Sequence, residues 1–108
     1  MAEIIWTENA LDGLDKVAEY IAVSSPNAAS KLVVNLFEKV DRLELFPESG
    51  RLVEEVKEMG YREVIVNPCR VMYKIEGETV FILHVLRQER DLRNYLINES
   101  SAKYDKRS

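Results

Sequence analysis

From Tyr61 to Arg93 the chain reads YREVIVNPCRVMYKIEGETVFILHVLRQERDLR, and from Tyr61 its pattern switches to a period of two. That period belongs to extended strands, whose side chains alternate between two faces, and it differs from the helical spacing that precedes it. Three runs result. Val64 and Val66 share a face with Arg62, and Asn67-Pro68 then marks a turn, because proline cannot donate to a central ladder. Val71, Tyr73 and Ile75 line one side of the second run, with Arg70, Met72 and Lys74 on the other. Glu76-Gly77-Glu78 is a hairpin signal, since glycine takes positive φ at little steric cost. Thr79 to Leu86 (TVFILHVL) is apolar almost throughout, which predicts a central strand covered on both sides.

The first half reads as support for this sheet. Glu3 to Trp6 is a short strand candidate. Thr7 is a helix N-cap, followed by Leu11, Leu14, Val17, Ala18, Ile21 and Ala22 at helical spacing. Ser25-Pro26 restarts a second helix, proline being well placed at a first helical position. Ala29, Leu32, Val33, Leu36, Phe37, Val40 and Leu43 form its stripe, and Pro47 limits it. The short connection makes the two helices an antiparallel hairpin. Residues 48–60 read as a loop with a short extended piece at Leu52-Val53. Asp91 caps a last short helix containing Leu92, Tyr95, Leu96 and Ile97, and residues 99–108 read as a frayed tail. The expected fold is α+β, in the order β-α-α-β-β-β: a helix hairpin on a small, mainly antiparallel sheet, in a single domain over residues 1–98.

Composition narrows the function. One cysteine and one histidine exclude an internal disulfide, a Cys-based zinc cluster and a multi-His metal site, and no cofactor is expected. The N-terminus MAEIIWTEN carries acid where a secretory signal carries base, so a cytoplasmic protein is expected. The net charge of −4 is uneven: residues 1–60 hold 6 basic against 12 acidic side chains, and residues 61–108 hold 9 against 7. A protein that grips a phosphate backbone usually has a clearly basic domain, so a local basic site is the most this chain offers.

That site would be built from arginines. Arg70 lies with Met72 and Lys74 on the sheet face expected to turn away from the helices, as an exposed row. Arg87 and Arg90 leave the central strand beside the last helix, and Arg62 opens a strand where it faces either acidic partners or a target. Each guanidinium presents a planar, permanently charged fork to carboxylate or phosphate. Metal-free RNA cleavage would also need a base and an acid. His84 alternates in register with Val80, Ile82 and Leu86 and reads as a buried or half-buried structural residue; Glu54, Glu55 and Glu58 read as a solvated run. No confident catalytic set emerges, and Arg70, Arg87 and Arg90 would supply only the cationic part.

SGR at 49–51, YRE at 61–63, Arg70-Val71-Met72-Tyr73 before a Gly hairpin, and HVLRQERDL at 84–92 together resemble the RelE/ParE superfamily of toxins. The resemblance covers residues 3–97 and is stronger to the ParE-like branch. Pro68-Cys69 stands where the family commonly has a Gly and an aromatic before the strand arginine, Gln88 stands where RelE-like nucleases tend to carry a basic residue, and Tyr95 matches the tyrosine of some of those nucleases only with a one-residue shift. The resemblance implies a toxin of a type II toxin–antitoxin module that inhibits DNA gyrase by protein–protein binding and is neutralised by a cognate antitoxin. The RelE-like alternative is a ribosome-dependent mRNA endoribonuclease, and a further alternative is a non-toxic paralogue that only binds antitoxin. Leu45 and Phe46, beside the helix hairpin, are the antitoxin-binding candidates on this view.

Overall fold

A computed structural model describes residues 1–98; the expected tail over 99–108 lies outside the described residues. The element order is β1 (Glu3–Trp6), α1 (Glu8–Ser24), α2 (Pro26–Asp41), β2 (Arg51–Leu52), β3 (Arg62–Val66), β4 (Cys69–Glu76) and β5 (Thr79–Arg87). A further helix, α3, covers residues 92–98. The five strands form one sheet in the order β1-β5-β4-β3-β2, antiparallel except for the parallel pair β1 and β5. The expected α+β architecture is therefore found, with a two-residue strand added at the edge.

Local chemistry places the helix hairpin. The Thr7 hydroxyl accepts from Ala10 N–H at the start of α1. Ser25 does double work: its N–H closes α1 on Ile21 O, and its hydroxyl accepts from Ala28 N–H to open α2. The apolar stripes of both helices then meet Val71, Tyr73, Val80, Ile82 and Val85 in the main core. α1 crosses β5 so closely that a Cβ on Gly13 would lie 2.4 Å from Val85 O.

Two expectations about the sheet are corrected. Met72 pairs with His84 but Tyr73 pairs with Ile82, so Leu83 is an extra residue in β5. This bulge reverses the alternation, as a one-residue slip must. Val80, Ile82 and Val85 consequently face the helices, whereas Leu86 joins the opposite layer. His84 therefore does not share a face with Val80 and Ile82; it is half-buried with its Nδ1 3.2 Å from the Tyr95 hydroxyl of α3. The bulge is held by Thr7, whose hydroxyl donates to Ile82 O at 2.7 Å and whose N–H donates to the same oxygen at 3.1 Å.

The second correction concerns the outer face. The expected exposed row Arg70-Met72-Lys74 is not there: Arg70 and Met72 are buried, and only Lys74 reaches solvent. Two 3-10 turns over Glu54–Met59, joined at Val56, and α3 close over this side. Val53 and Val56 lie three apart, the spacing that stacks side chains in a 3-10 turn, and they pack with Met72, Leu86 and Leu92.

Arg70 fastens that outer layer. Its Nε donates to Glu63 at 2.6 Å, and its two terminal nitrogens donate to the two Glu55 oxygens at 2.7 and 3.0 Å. Arg51 adds a bond to Glu63 at 3.0 Å. Glu55 is thus not part of a merely solvated run. Its fork-to-fork bond with Arg70 holds its carboxyl down at about 2, against an ordinary 4.5.

A second tie joins the segment before β2 to the core. The Tyr73 hydroxyl donates to Pro47 O at 2.7 Å and accepts from Gly50 N–H at 2.9 Å. A Cβ on Gly50 would sit 2.5 Å from that hydroxyl, so only glycine fits without a shift. Arg62 donates to Gly50 O at 2.8 Å and Glu48 O at 3.3 Å rather than to acids of the helices.

Three stability outcomes follow from these contacts. Gly13→Ala should lose about 1–3 kcal/mol in urea unfolding through overpacking against Val85, although helix propensity alone predicts a gain of about 1 kcal/mol; a gain would contradict the close crossing. Arg70→Met leaves Glu63, only 3% exposed, with Arg51 as its remaining cation. It should cost about 3 kcal/mol, and an unchanged stability would contradict a structural Arg70. For Glu55 the sign is fixed by its lowered folded-state pKa: the stabilisation is present above the unfolded value and lost as pH falls through the folded one. The carboxylate is 44% exposed, which screens the pair to about 1 kcal/mol. The deficit of Glu55→Gln relative to the parent should therefore be visible at neutral pH and close between pH 4.5 and about 2; a constant deficit over that interval would count against the pairing.

Candidate functional site

The four arginines singled out by the sequence do not converge. Arg62 and Arg70 are committed to the internal ties just described. Arg87 and Arg90 lie at the exit of β5, on the side facing α1. Arg87 shares a face with Val85, which the bulge at Leu83 turns toward the helices, and its guanidinium carbon sits 4.0 Å from the ring centre of Tyr20 on α1. Its Nε is also 3.2 Å from Glu89. Arg90 follows in the turn, its N–H bonded to Arg87 O, with its guanidinium 5.6 Å from the Tyr95 ring. Asp91 caps α3 as expected, accepting from Asn94 N–H at 3.2 Å, and thereby fixes Tyr95 beside the exit.

These residues border a cleft of ≈ 430 Å³ between α1 and α3. One wall is Asn9, Asp12, Lys16 and Tyr20; the other is Arg87, Arg90, Tyr95 and Asn98. Lys16 and Tyr20 are the functional candidates that reading the sequence missed. Their signal was modest: positions four apart on one helix face, with a tyrosine that remains 61% exposed.

The opposite side of the sheet holds a cleft of ≈ 480 Å³ lined by Arg51, Leu52, Glu54, Glu55, Glu63, Ile65, Arg70 and Gln88. Its three carboxylates outnumber its two guanidiniums, and Arg70 has no donor nitrogen left uncommitted to Glu55 or Glu63. Gln88 is tied to the Asn67 side chain and to Pro68 O, across the turn between β3 and β4. Cys69 is buried at the start of β4, and burial pushes its thiol up to about 11, which leaves it a packing residue rather than a nucleophile.

Leu45 and Phe46 follow α2 and the 3-10 turn Arg42–Glu44, and they are 66% and 63% exposed. Leu45 borders a shallow depression of ≈ 260 Å³ with Met1, Ala2, Pro47 and Ile75, an apolar surface at the end of the sheet. Among the described residues no group of three or more His, Cys, Asp or Glu is arranged to hold a metal, and no helix is long and apolar enough to cross a membrane.

With this geometry in hand, likeness to known proteins is informative. The family described as ParE toxin of type II toxin-antitoxin system, parDE, matches residues 4–92. The chain is 34% identical to Toxin RelE2 of Caulobacter vibrioides over 89 residues, covering 81% of this chain and 92% of that protein. It is 31% identical to Toxin ParE3 of the same organism over 87 residues, covering 80% and 86% respectively. Its fold resembles that in the chromosomal ParDE toxin–antitoxin system from P. aeruginosa, with a TM-score of 0.68, 26% identity, and coverage of 82% of this chain and 98% of that one. The chain belongs to the ParE toxin family of type II toxin–antitoxin systems.

Proposed function

We propose that this toxin acts in the cytoplasm by binding DNA gyrase as a protein inhibitor, with Arg87 and Arg90 among its target contacts. Membership of the family implies a cognate antitoxin. The observation that carries the gyrase reading is the engagement of all three Arg70 nitrogens by Glu63 and Glu55. Stabilising a pentacoordinate phosphate needs donors aimed at the developing charge. On the outer face those donors are already neutralised, and Glu54, Glu55 and Glu63 would repel an RNA backbone. Arg90 is exposed and Arg87 half-buried, and neither is bonded to the loop carbonyls or the buried carboxylate that hold Arg62 and Arg70.

The endoribonuclease reading retains one structural motive. His84 and Tyr95 lie within hydrogen-bond reach of each other, two groups capable of proton transfer. One relative that is 34% identical also carries the name RelE2. The gyrase reading is favoured because the strand arginine, Arg70, is already held by two carboxylates and is not free to stabilise a phosphate.

Purified toxin should inhibit supercoiling by a matched host gyrase, and the double variant Arg87→Ala/Arg90→Ala should inhibit about tenfold less while melting at the same temperature, since surface changes usually alter stability by less than about 0.5 kcal/mol. Undiminished supercoiling at micromolar toxin would sink the reading. Cuts in mRNA at the ribosomal A site of a translating extract would favour the nuclease instead. The apolar surface at Leu45 and Phe46 is proposed to receive the antitoxin. Leu45→Glu/Phe46→Glu should weaken capture by the cognate antitoxin about tenfold or more and leave gyrase inhibition intact; unaltered capture would remove these residues from that interface.

A further inference from the structure

We infer that the cleft between α1 and α3 receives a short acidic peptide segment of a protein partner, its carboxylates paired with Arg87, Arg90 and Lys16. The inference rests on the reading of this chain as a protein-binding toxin and adds the chemistry of the segment it grips. Charge is the first ground. The lining holds three cations and one carboxylate, Asp12, in a chain whose net charge is −4. An acidic segment is drawn to this place while the rest of the surface offers it little, which gives register as well as attraction.

Preorganisation is the second ground. Arg87 lies against Tyr20 at 4.0 Å and Arg90 near Tyr95 at 5.6 Å. An aromatic face beside a guanidinium restricts its position and leaves its N–H edge open to a planar acceptor. Arg87 already accommodates one carboxylate, that of Glu89, at 3.2 Å. Glu89 is largely exposed, so it is an internal occupant that a partner's acid can replace. Size is the third ground: ≈ 430 Å³ suits a few side chains of a segment. The exposed ring of Tyr20 and the side of Val17 supply apolar contact between the charged pairs.

A nucleic-acid strand fits less well. Its affinity grows with the number of phosphates neutralised along an extended basic track. Here three cations are clustered in one cleft rather than strung along a track.

The test uses the full chain, a fluorescein-labelled peptide rich in Glu, Asp and Leu, and an oligodeoxythymidine of equal charge as competitor. The peptide should bind at low salt, and binding should weaken about tenfold or more in Arg87→Glu/Arg90→Glu. It should be unaffected by Lys74→Ala, on the exposed part of β4. Should the double variant fail to fold, Lys16→Glu/Tyr20→Ala repeats the test from the α1 wall. Absence of peptide binding, binding unchanged in the cleft variants, or displacement by the oligonucleotide at equal or lower concentration would overturn the proposal. Supercoiling assays on the same proteins separate the two claims. Cleft-dependent peptide binding with no gyrase inhibition keeps the cleft and rejects gyrase as target; gyrase inhibition that survives Arg87→Glu/Arg90→Glu keeps gyrase and rejects the cleft.

Discussion

Arg70 is charged, nearly fully buried, and bonded through all three of its nitrogens to Glu63 and Glu55. A buried guanidinium is tolerated only when its donors are met, so this position dictates where both carboxylates must be. Glu63 comes from the neighbouring strand and Glu55 from the 3-10 segment above it. The pairing therefore draws the segment between β2 and β3 down onto the sheet and completes the layer of Val53, Val56, Met72, Leu86 and Leu92. The Tyr73 hydroxyl does the corresponding task for Pro47 and Gly50, with Arg62 holding the same turn from outside. The short motifs around residues 49–51, 61–63 and 70–73 are thus largely one set of ties between an irregular segment and a sheet.

The β5 exit is governed by a different constraint. Thr7 begins α1 and also binds the carbonyl at the bulge in β5, so helix start and strand irregularity are fixed together. Gly13 then lets α1 lie directly on Val85. These two contacts aim Arg87 at Tyr20 and not at the outer layer. The arginines separate accordingly: those on β3 and β4 bond within the fold, and Arg87 and Arg90, at the end of β5 and just beyond it, border the cleft beside α1.

Much of this was legible in the sequence. Thr7, Ser25-Pro26 and the apolar stripes announced both helices, because caps and periodicity are local signals. The strand boundaries followed from Asn67-Pro68 and Gly77 in the same way. The bulge at Leu83 was not legible, since TVFILHVL is apolar on both registers and gives no sign of where alternation reverses. The burial of Arg70 was equally hidden. Its partners lie 7 and 15 positions away, and the segment carrying Glu55 alternates charges in a way that suggests solvent. Tyr20 was overlooked for a related reason: an aromatic on the polar side of a helix acquires meaning only when β5 brings Arg87 over it.

Carboxylates surround Arg70 on the outer face of the sheet, while Lys16, Tyr20, Arg87, Arg90 and Tyr95 border the cleft between α1 and α3. That distribution suits a toxin that works by gripping a protein. The most direct test is induction of the chain in cells without its antitoxin, with chromosome breakage and protein synthesis followed separately from the first minutes. The account predicts that DNA breakage rises first while translation of existing messages continues. Early arrest of translation with cleaved mRNA and an intact chromosome would contradict it.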